Sequence, residues 1–439
     1  MISNAFAAAL KSRQIYYGWV VVAVTFLTML VTAAAMGAPG VMIVPLQHEF
    51  GWDNVQISSA LALRILLFGL FAPFAAALMN RFGLRQIMVA ALALIAASLL
   101  VSLAMTRLWQ LILLWGILLG VGTGLTAFVL AATVATRWFT QRRGLVIGLL
   151  TASSATGQLL FLPLIAGLTE HLGWRVALVV VCGFLALAAF VVLLLMRDRP
   201  GDLNLPAYGE TAVAPPPPSA ADGLSALLVS PLVVLGQAAR VPQFWVLFAT
   251  FFICGLSTNG LIQTHFITLC ADYGLTAVTA ASVLATMGVF DFFGTIGSGW
   301  LSDRFDNRWL LFWYYGLRGL SLLYLPFTDF SFYGLSLFAV FYGLDWIATV
   351  PPTVKLTADS FGRERAGIVF GWIFAGHMIG AACAAFGAGF SRTEFASYLP
   401  AFFVAGAMCL IAAGLVLTIA KPSPTGFGAA TPQPAPAAN

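Results

Sequence analysis

The sequence predicts an all-α membrane protein: twelve transmembrane helices in two pseudo-symmetric six-helix bundles. Three observations predict it. Of 439 residues, 61% are hydrophobic and only 8% charged, whereas soluble domains carry roughly 25% charged residues; lipid must solvate most of this surface. Apolar runs of about 20 residues, the length a bilayer core requires, recur twelve times along the chain. The basic residues gather in alternate loops.

The runs give approximate spans of 17–45, 55–79, 86–106, 108–136, 144–168 and 174–196 in the first half, and 243–270, 277–301, 309–327, 331–356, 366–390 and 399–420 in the second. Helix 1 follows Lys11 and Arg13 without a small-residue cleavage site and reads as a retained signal anchor. Helices 2 and 3 meet at Arg81-Phe82-Gly83-Leu84-Arg85, and Arg142-Arg143-Gly144 opens helix 5. Residues 197–240, with the Pro215 to Pro218 run, form a cytoplasmic linker. The end of this linker, Gly223 to Arg240, reads as a short helix on the membrane face. Helix 8 closes at Gly299 to Arg308, and Arg363-Glu364-Arg365-Ala366-Gly367 opens helix 11. The organisation is therefore a bundle over 1–196, a linker over 197–240, a second bundle over 241–420 and a disordered cytoplasmic tail over 421–439.

With this threading only Arg107, Arg175 and Arg392 fall in outer loops. The positive-inside rule then places both termini in the cytoplasm of a multi-pass inner-membrane protein. The net charge of +5 sits in short loops with no basic-aromatic stripe, so nucleic acid is not indicated as a partner. Five scattered cysteines without a CxxC indicate neither a disulfide framework nor a zinc site. There is no HExxH or Walker loop, so neither an enzyme nor a bound metal or cofactor is expected.

The matching basic turns after helices 2 and 8 and before helices 5 and 11 are what a duplicated six-helix unit leaves behind. Over nearly the whole chain the pattern resembles the major facilitator superfamily, whose hallmark turn is Gly-x-x-x-Asp-Arg-x-Gly-x-Arg. The second copy keeps Gly299, Asp303, Arg304 and Arg308; the first keeps Arg81, Gly83 and Arg85 but has Ala76 and Asn80. The resemblance implies a latch at these turns by Arg81, Arg85, Asp303, Arg304 and Arg308, weakened in the first half by Asn80. Tyr16-Tyr17-Gly18-Trp19, the run from Arg137 to Gly148, and Gly173-Trp174-Arg175 resemble the monocarboxylate-porter and oxalate:formate-antiporter branch. This chain departs from that branch in having no cation in helix 1, and Thr295 where an Arg follows the helix 8 acid. Helix 5 also lacks the Gly-Pro motif of many drug/proton antiporters.

An ionisable side chain at the bilayer centre costs at least about 2.5–3.5 kcal/mol. Six lie within spans: Arg64, His265, Asp291, Arg318, Asp345 and His377. The resemblance places helices 1, 2, 4, 5, 7, 8, 10 and 11 around a central cavity. Arg64 is the cavity cation able to grip a carboxylate in a fork, with His265, Asn259, Gln263, Tyr342 and Gln158 as further substrate contacts; Tyr16, Tyr17 and Trp346 could complete the pocket. Asp291, His377 and Asp345 are the proton-coupling set. Two alternatives stand beside these roles: Asp291 paired with Arg64, and Asp345 paired with Arg318. The breaks at Gly37-Ala38-Pro39-Gly40, Pro163 and Pro351-Pro352 free backbone carbonyls and let helices bend. The expectation is a secondary active transporter of a small organic anion of the monocarboxylate kind, working as a monomer by alternating access with proton symport. The alternative is an exchanger or exporter of small organic compounds.

Overall fold

The computed structural model describes residues 12–13, 15–52, 54–213, 224–328 and 330–420. Gly223, the Pro215 to Pro218 run and the tail from Lys421 lie outside the described residues.

The first bundle comprises α1 (Gly18–Val41), α2 (Asn54–Leu70, then Ala72–Phe82), α3 (Leu84–Ser102), α4 (Leu108–Trp138), α5 (Arg143–Leu172) and α6 (Trp174–Leu195). A short helix, Ile43–Phe50, follows α1, and another, Leu224–Ala238, ends the linker. The second bundle comprises α7 (Pro242–Asp272), α8 (Ala277–Ser302), α9 (Asn307–Tyr324), α10 (Phe332–Asp345, then Val350–Phe361), α11 (Arg363–Phe395) and α12 (Leu399–Val416). Among the described residues nine of these are long and apolar enough to cross a membrane. The two pieces of α2, bent by 52°, make a tenth, and α5 and α9 complete the twelve.

The interruptions have chemical causes. The second piece of α2 begins Ala72-Pro73, and proline supplies no N–H to the preceding turn. α7 widens into a π-helical turn over Leu256–Ile262, which contains the Gly-relaxed run Ser257-Thr258-Asn259-Gly260. α4 breaks between Leu125 and Phe128, and α10 between Asp345 and Val350. Beyond the break α4 runs on for 11 residues and α10 for 12, so the two breaks are pseudo-symmetric partners at one depth.

The basic turns share an arginine anchor, although the acid that takes its amide comes from a different place in each half. Between α2 and α3, Gly83 has φ +88°, and a Cβ there would lie 2.6 Å from the Asp198 carboxylate; only glycine fits. Asp198 accepts the Arg85 amide at 2.8 Å, and the Arg85 guanidinium donates to the Leu193 carbonyl. In the second bundle Asp306 accepts the Arg308 amide at 3.0 Å, and the Arg308 guanidinium donates to the Ile419 carbonyl at 3.0 Å. In both halves an arginine entering the third helix holds the carbonyl end of the sixth, where the helix dipole is negative.

The bundles join along two seams, α5 on α8 and α2 on α11, whereas α1 and α7 are not closely packed on each other. Small residues make the first seam close. A Cβ on Gly144 would stand 2.4 Å from the Gly299 carbonyl, and one on Gly148 would stand 2.5 Å from that of Thr295. In the second seam Gly371 sits as tightly on Pro73. The seams close at the end bearing the basic turns, termed here the basic face. The linker lies across that face: Tyr208 exchanges backbone hydrogen bonds with Trp138, Thr140 and Gln141. Tyr16 and Tyr17 point here too, donating to Pro206 and Leu195 carbonyls at 3.0 and 2.7 Å; they anchor the linker and helix ends and do not complete a central pocket.

Candidate functional site

The breaks in α7 and α10 bring the polar residues of the second bundle together. Asp291 on α8 is 2% exposed, and its Oδ1 accepts both the Thr295 hydroxyl at 2.8 Å and the Ile347 amide at 2.9 Å. Ile347 lies in the α10 break, where no helical carbonyl takes its N–H. On the same face of α8, Ser298 donates to the Ala348 carbonyl at 2.5 Å. That carbonyl stands four residues before Pro352, which has no N–H to offer it.

Arg318, fully buried on α9, reaches the break from the other side. Its Nε donates to Asp345 Oδ2 at 2.5 Å, and its Nη2 to the Asp345 and Trp346 carbonyls at 2.6 and 3.2 Å. Its Nη1 lies 3.0 Å from Cys254 Sγ, which also contacts the Thr349 hydroxyl at 3.2 Å. Asp345 is therefore ion-paired to Arg318, and among the described residues its Oδ1 has no partner. Asp291 is not paired with Arg64. Tyr342 is wholly buried, its hydroxyl donated to the Ser257 carbonyl at 2.7 Å; it braces the π turn of α7.

The two histidines differ. His377 on α11 is buried against Phe251 and Phe374, with ring centroids at 4.9 and 5.8 Å, and its Nδ1 has no partner. His265 Nε2 lies 2.8 Å from the Ala385 carbonyl, and the ring packs on Tyr398; it ties α7 to α11 and α12. Asn259 is half-buried in the π turn, its Oδ1 accepting the Thr258 hydroxyl at 3.2 Å, and Gln263 is exposed. The side chain of Gln158 lies outside those described.

Arg64 lies in the first bundle. It is partly exposed on α2, and Nη1 donates to the Met36 carbonyl of α1 at 2.8 Å. Among the described residues it has no carboxylate partner.

At the basic face the contacts between halves centre on an acid. Asp303 Oδ1 and Oδ2 accept the Gly144 and Leu145 amides at 2.8 and 2.9 Å, and Lys355 Nζ lies 3.3 Å from Oδ1. Asn80, the first-half equivalent, accepts from Arg137 at 2.7 Å and reaches the Glu364 carbonyl at only 3.5 Å. Arg304 stacks on its own neighbour Trp300 at 3.9 Å, and Arg81 lies over Phe82. Sequence reasoning missed a further contact between halves: linker residue Glu210 accepts the Thr140 hydroxyl at 2.6 Å and Arg363 at 2.7 Å. The Thr140 hydrogen bond and then the Arg363 guanidinium hold the Glu210 carboxyl below the usual glutamate range. At the opposite end Arg175 and Trp174 both donate to Glu49, at 2.6 and 2.7 Å, and Arg175 above all keeps that carboxyl low.

Comparison with known proteins adds the lineage. The family model of the Major Facilitator Superfamily matches residues 25–385 and 268–439. Monocarboxylate transporter 13 of Rattus norvegicus is 27% identical over 406 residues, covering 92% of this chain and 89% of that protein. The uncharacterized MFS-type transporter YcxA of Bacillus subtilis is 22% identical, covering 91% and 94%. Among solved structures, the human organic anion transporter MFSD10 superposes with a TM-score of 0.68 at 18% identity, covering 90% of this chain and 98% of that one. The E. coli fucose:proton symporter FucP gives 0.67 at 16% identity, covering 92% and 99%. With two matched bundles, paired basic turns and a family model spanning most of its length, the chain belongs to the Major Facilitator Superfamily and is a membrane transporter of small molecules.

Proposed function

We propose that this protein carries a small organic anion of the monocarboxylate class across the inner membrane together with a proton. The observation that carries this reading is Arg64, a guanidinium within the membrane-spanning region that holds one backbone carbonyl and no carboxylate among the described residues. An unneutralised cation in that setting is costly, and an anionic substrate would relieve it through a bidentate pair. The monocarboxylate transporters among its relatives support the substrate class.

Asp291 is the proton site in this reading. Both of its hydrogen bonds fall on Oδ1, which leaves Oδ2 to take the proton. His377, whose Nδ1 has no hydrogen-bond partner among the described residues and whose ring lies against Phe251 of α7, serves as a second proton acceptor. Asp345 is committed to Arg318, and His265 and Tyr342 to bonds within the second bundle, so they position helices and do not touch substrate. In this reading the basic face is cytoplasmic, and its closed seams are those of a carrier that receives substrate from the opposite side. Moving one monoanion with one proton transfers no net charge. The test is uptake of radiolabelled lactate, pyruvate, acetate and benzoate into proteoliposomes, with an inwardly directed proton gradient imposed with and without a membrane potential. Uptake accelerated by the gradient and indifferent to the potential supports the proposal. Fast counterflow that ignores the gradient favours an exchanger instead.

A further inference from the structure

The linker helix Leu224–Ala238 has 15 residues and no charge among them. A helix that is apolar all round needs cover from protein or from lipid. Pro231 and Ala238 are buried, but Val229, Leu232 and Val233 are 52, 53 and 49% exposed. With Gly236, also exposed, they are spaced i, i+3, i+4 and i+7 and form one outward stripe.

Two hydrogen bonds fix how this helix sits. The Arg365 guanidinium donates to Gln237 Oε1 at 3.1 Å, and the Trp372 indole donates to the Pro231 carbonyl at 2.9 Å. Gln237 is thus level with the basic end of α11. Pro231 is level with a residue seven positions further in, about 10 Å along that helix. The linker helix runs antiparallel to α11, and its earlier residues lie further from the basic face. Between Arg365 and Arg392 the α11 sequence holds no Lys, Arg, Asp or Glu, so the depth gained is hydrocarbon depth.

Trp372 lies on the outer side of α11. On the inner side Phe374 packs on Phe68 and Phe128 of the first bundle. Further along the outer side come Ile379 and Phe386, 40 and 78% exposed, as residues facing acyl chains are. The linker helix covers the basic-end part of that same side and packs also on the second piece of α2. Both of its flanks are at the basic face. Glu210 is held there by Thr140 and Arg363. After the helix, exposed Trp245 donates its indole N–H to the Ala239 carbonyl at 2.8 Å, in the manner of a tryptophan anchored at a membrane surface. At about 22 Å long the helix is too short to cross.

We infer that the linker helix is inserted into the leaflet at the basic face, dipping along the outer side of α11 and α2, and that its outward stripe is covered by lipid acyl chains. It enters and leaves on one side of the membrane and covers the second seam from the lipid. The inference is independent of the substrate and of proton coupling.

The test is spin labelling of the full chain in vesicles of phosphatidylethanolamine and phosphatidylglycerol. Cys383, the exposed cysteine among those described, is first removed as Cys383→Ser. Nitroxides are then placed singly through Val229→Cys and Val233→Cys. Two references are Val404→Cys on the outer surface of α12 and Val213→Cys in the polar linker, 57 and 47% exposed. Power saturation compares collisions with oxygen, which concentrates in lipid, and with a water-soluble nickel chelate. The expected oxygen-to-nickel ratio at 233 is several-fold above that at 213, and the ratio at 229 is higher again, since 229 lies one helical turn deeper. A ratio at 233 equal to that at 213 overturns the inference, because water then covers the stripe. Equal ratios at 229 and 233 overturn the descent into the leaflet. An immobilised label shielded from both reagents shows a protein partner on the stripe and overturns it as well. Should Val233→Cys disturb the helix, Leu232→Cys on the same stripe gives the same reading. Loss of proton-driven uptake in the unlabelled protein would count against the proposed function and leave this inference untouched.

Discussion

Asp303 caps a helix that belongs to the other half of the molecule: its carboxylate accepts the amides of Gly144 and Leu145 at the start of α5. α5 has no cap of its own, since Arg142 stands there in the left-handed region with φ +59° and offers no side-chain acceptor. An anion at a helix N-terminus meets unpaired N–H groups and the positive end of the dipole. The cap bridges the two halves of the molecule at the basic face.

Replacing that acid should therefore favour opening. Asp303→Asn keeps the shape but removes the charge and one acceptor oxygen, at a cost of about 1.5–3 kcal/mol for hydrogen bonds to a charged group. A cysteine introduced as Ser302→Cys, buried in the closed face, should then react several-fold faster with a membrane-impermeant maleimide applied from the basic side.

The glycine seam makes a steric prediction. A side chain at Gly144 meets the Gly299 carbonyl, and one at Gly148 the Thr295 carbonyl; backbone atoms cannot move aside as flexible side-chain ends do. Gly148→Val should abolish transport while leaving a folded, extractable protein, with the Ser302→Cys site labelled at the rate of an open face. Transport within twofold of wild type would refute the closeness of this seam.

Arg64 carries the substrate prediction. Arg64→Ala should lower the affinity for monocarboxylates by about 10- to 100-fold, the worth of a charge-assisted hydrogen-bond pair. Arg64→Lys should recover only part, because an ammonium lacks the planar fork. Direct binding of labelled substrate to purified protein distinguishes this from an effect on turnover. In the same preparation Asp291→Asn should retain counterflow but lose acceleration by a proton gradient.

The linker clamp should respond to acid. The Glu210 carboxyl is held below its ordinary range by Thr140 and Arg363, so the clamp is fully present above the ordinary glutamate value and is lost as pH falls through the lowered one. Its partners are partly exposed, and solvent screening holds its worth to about 1 kcal/mol or less. Glu210→Gln should therefore raise amide exchange at 208–210 modestly at neutral pH, and the difference from wild type should vanish below the usual carboxylate range.

Residue chemistry located the membrane helices, the paired basic turns and the list of buried charges, because each follows from what hydrocarbon tolerates at a given depth. It offered the Arg318–Asp345 pair only as an alternative to a proton-coupling role for Asp345, and the structure shows the pair. It did not reveal that Asp303 accepts the Gly144 and Leu145 amides besides meeting Lys355, since Gly144 lies 159 residues away in the chain. Glu210 was invisible for the same reason: a lone acid in a polar linker carries no periodic signal. Tyr16, Tyr17, His265 and Tyr342 have the composition of a binding pocket, yet each donates to or rests on a backbone carbonyl elsewhere.

The chain alone determined that this is a polytopic helical membrane protein, because hydropathy and charge asymmetry are sums over many residues and survive uncertainty at any one; that it is a transporter came from the family its motifs resemble. Only the tertiary structure decided which buried charges are spent on holding helices and which stay available. That choice depends on a few hydrogen bonds between distant segments, such as those that bind Asp291 and Arg318 to the α10 break and leave Arg64 with a single carbonyl.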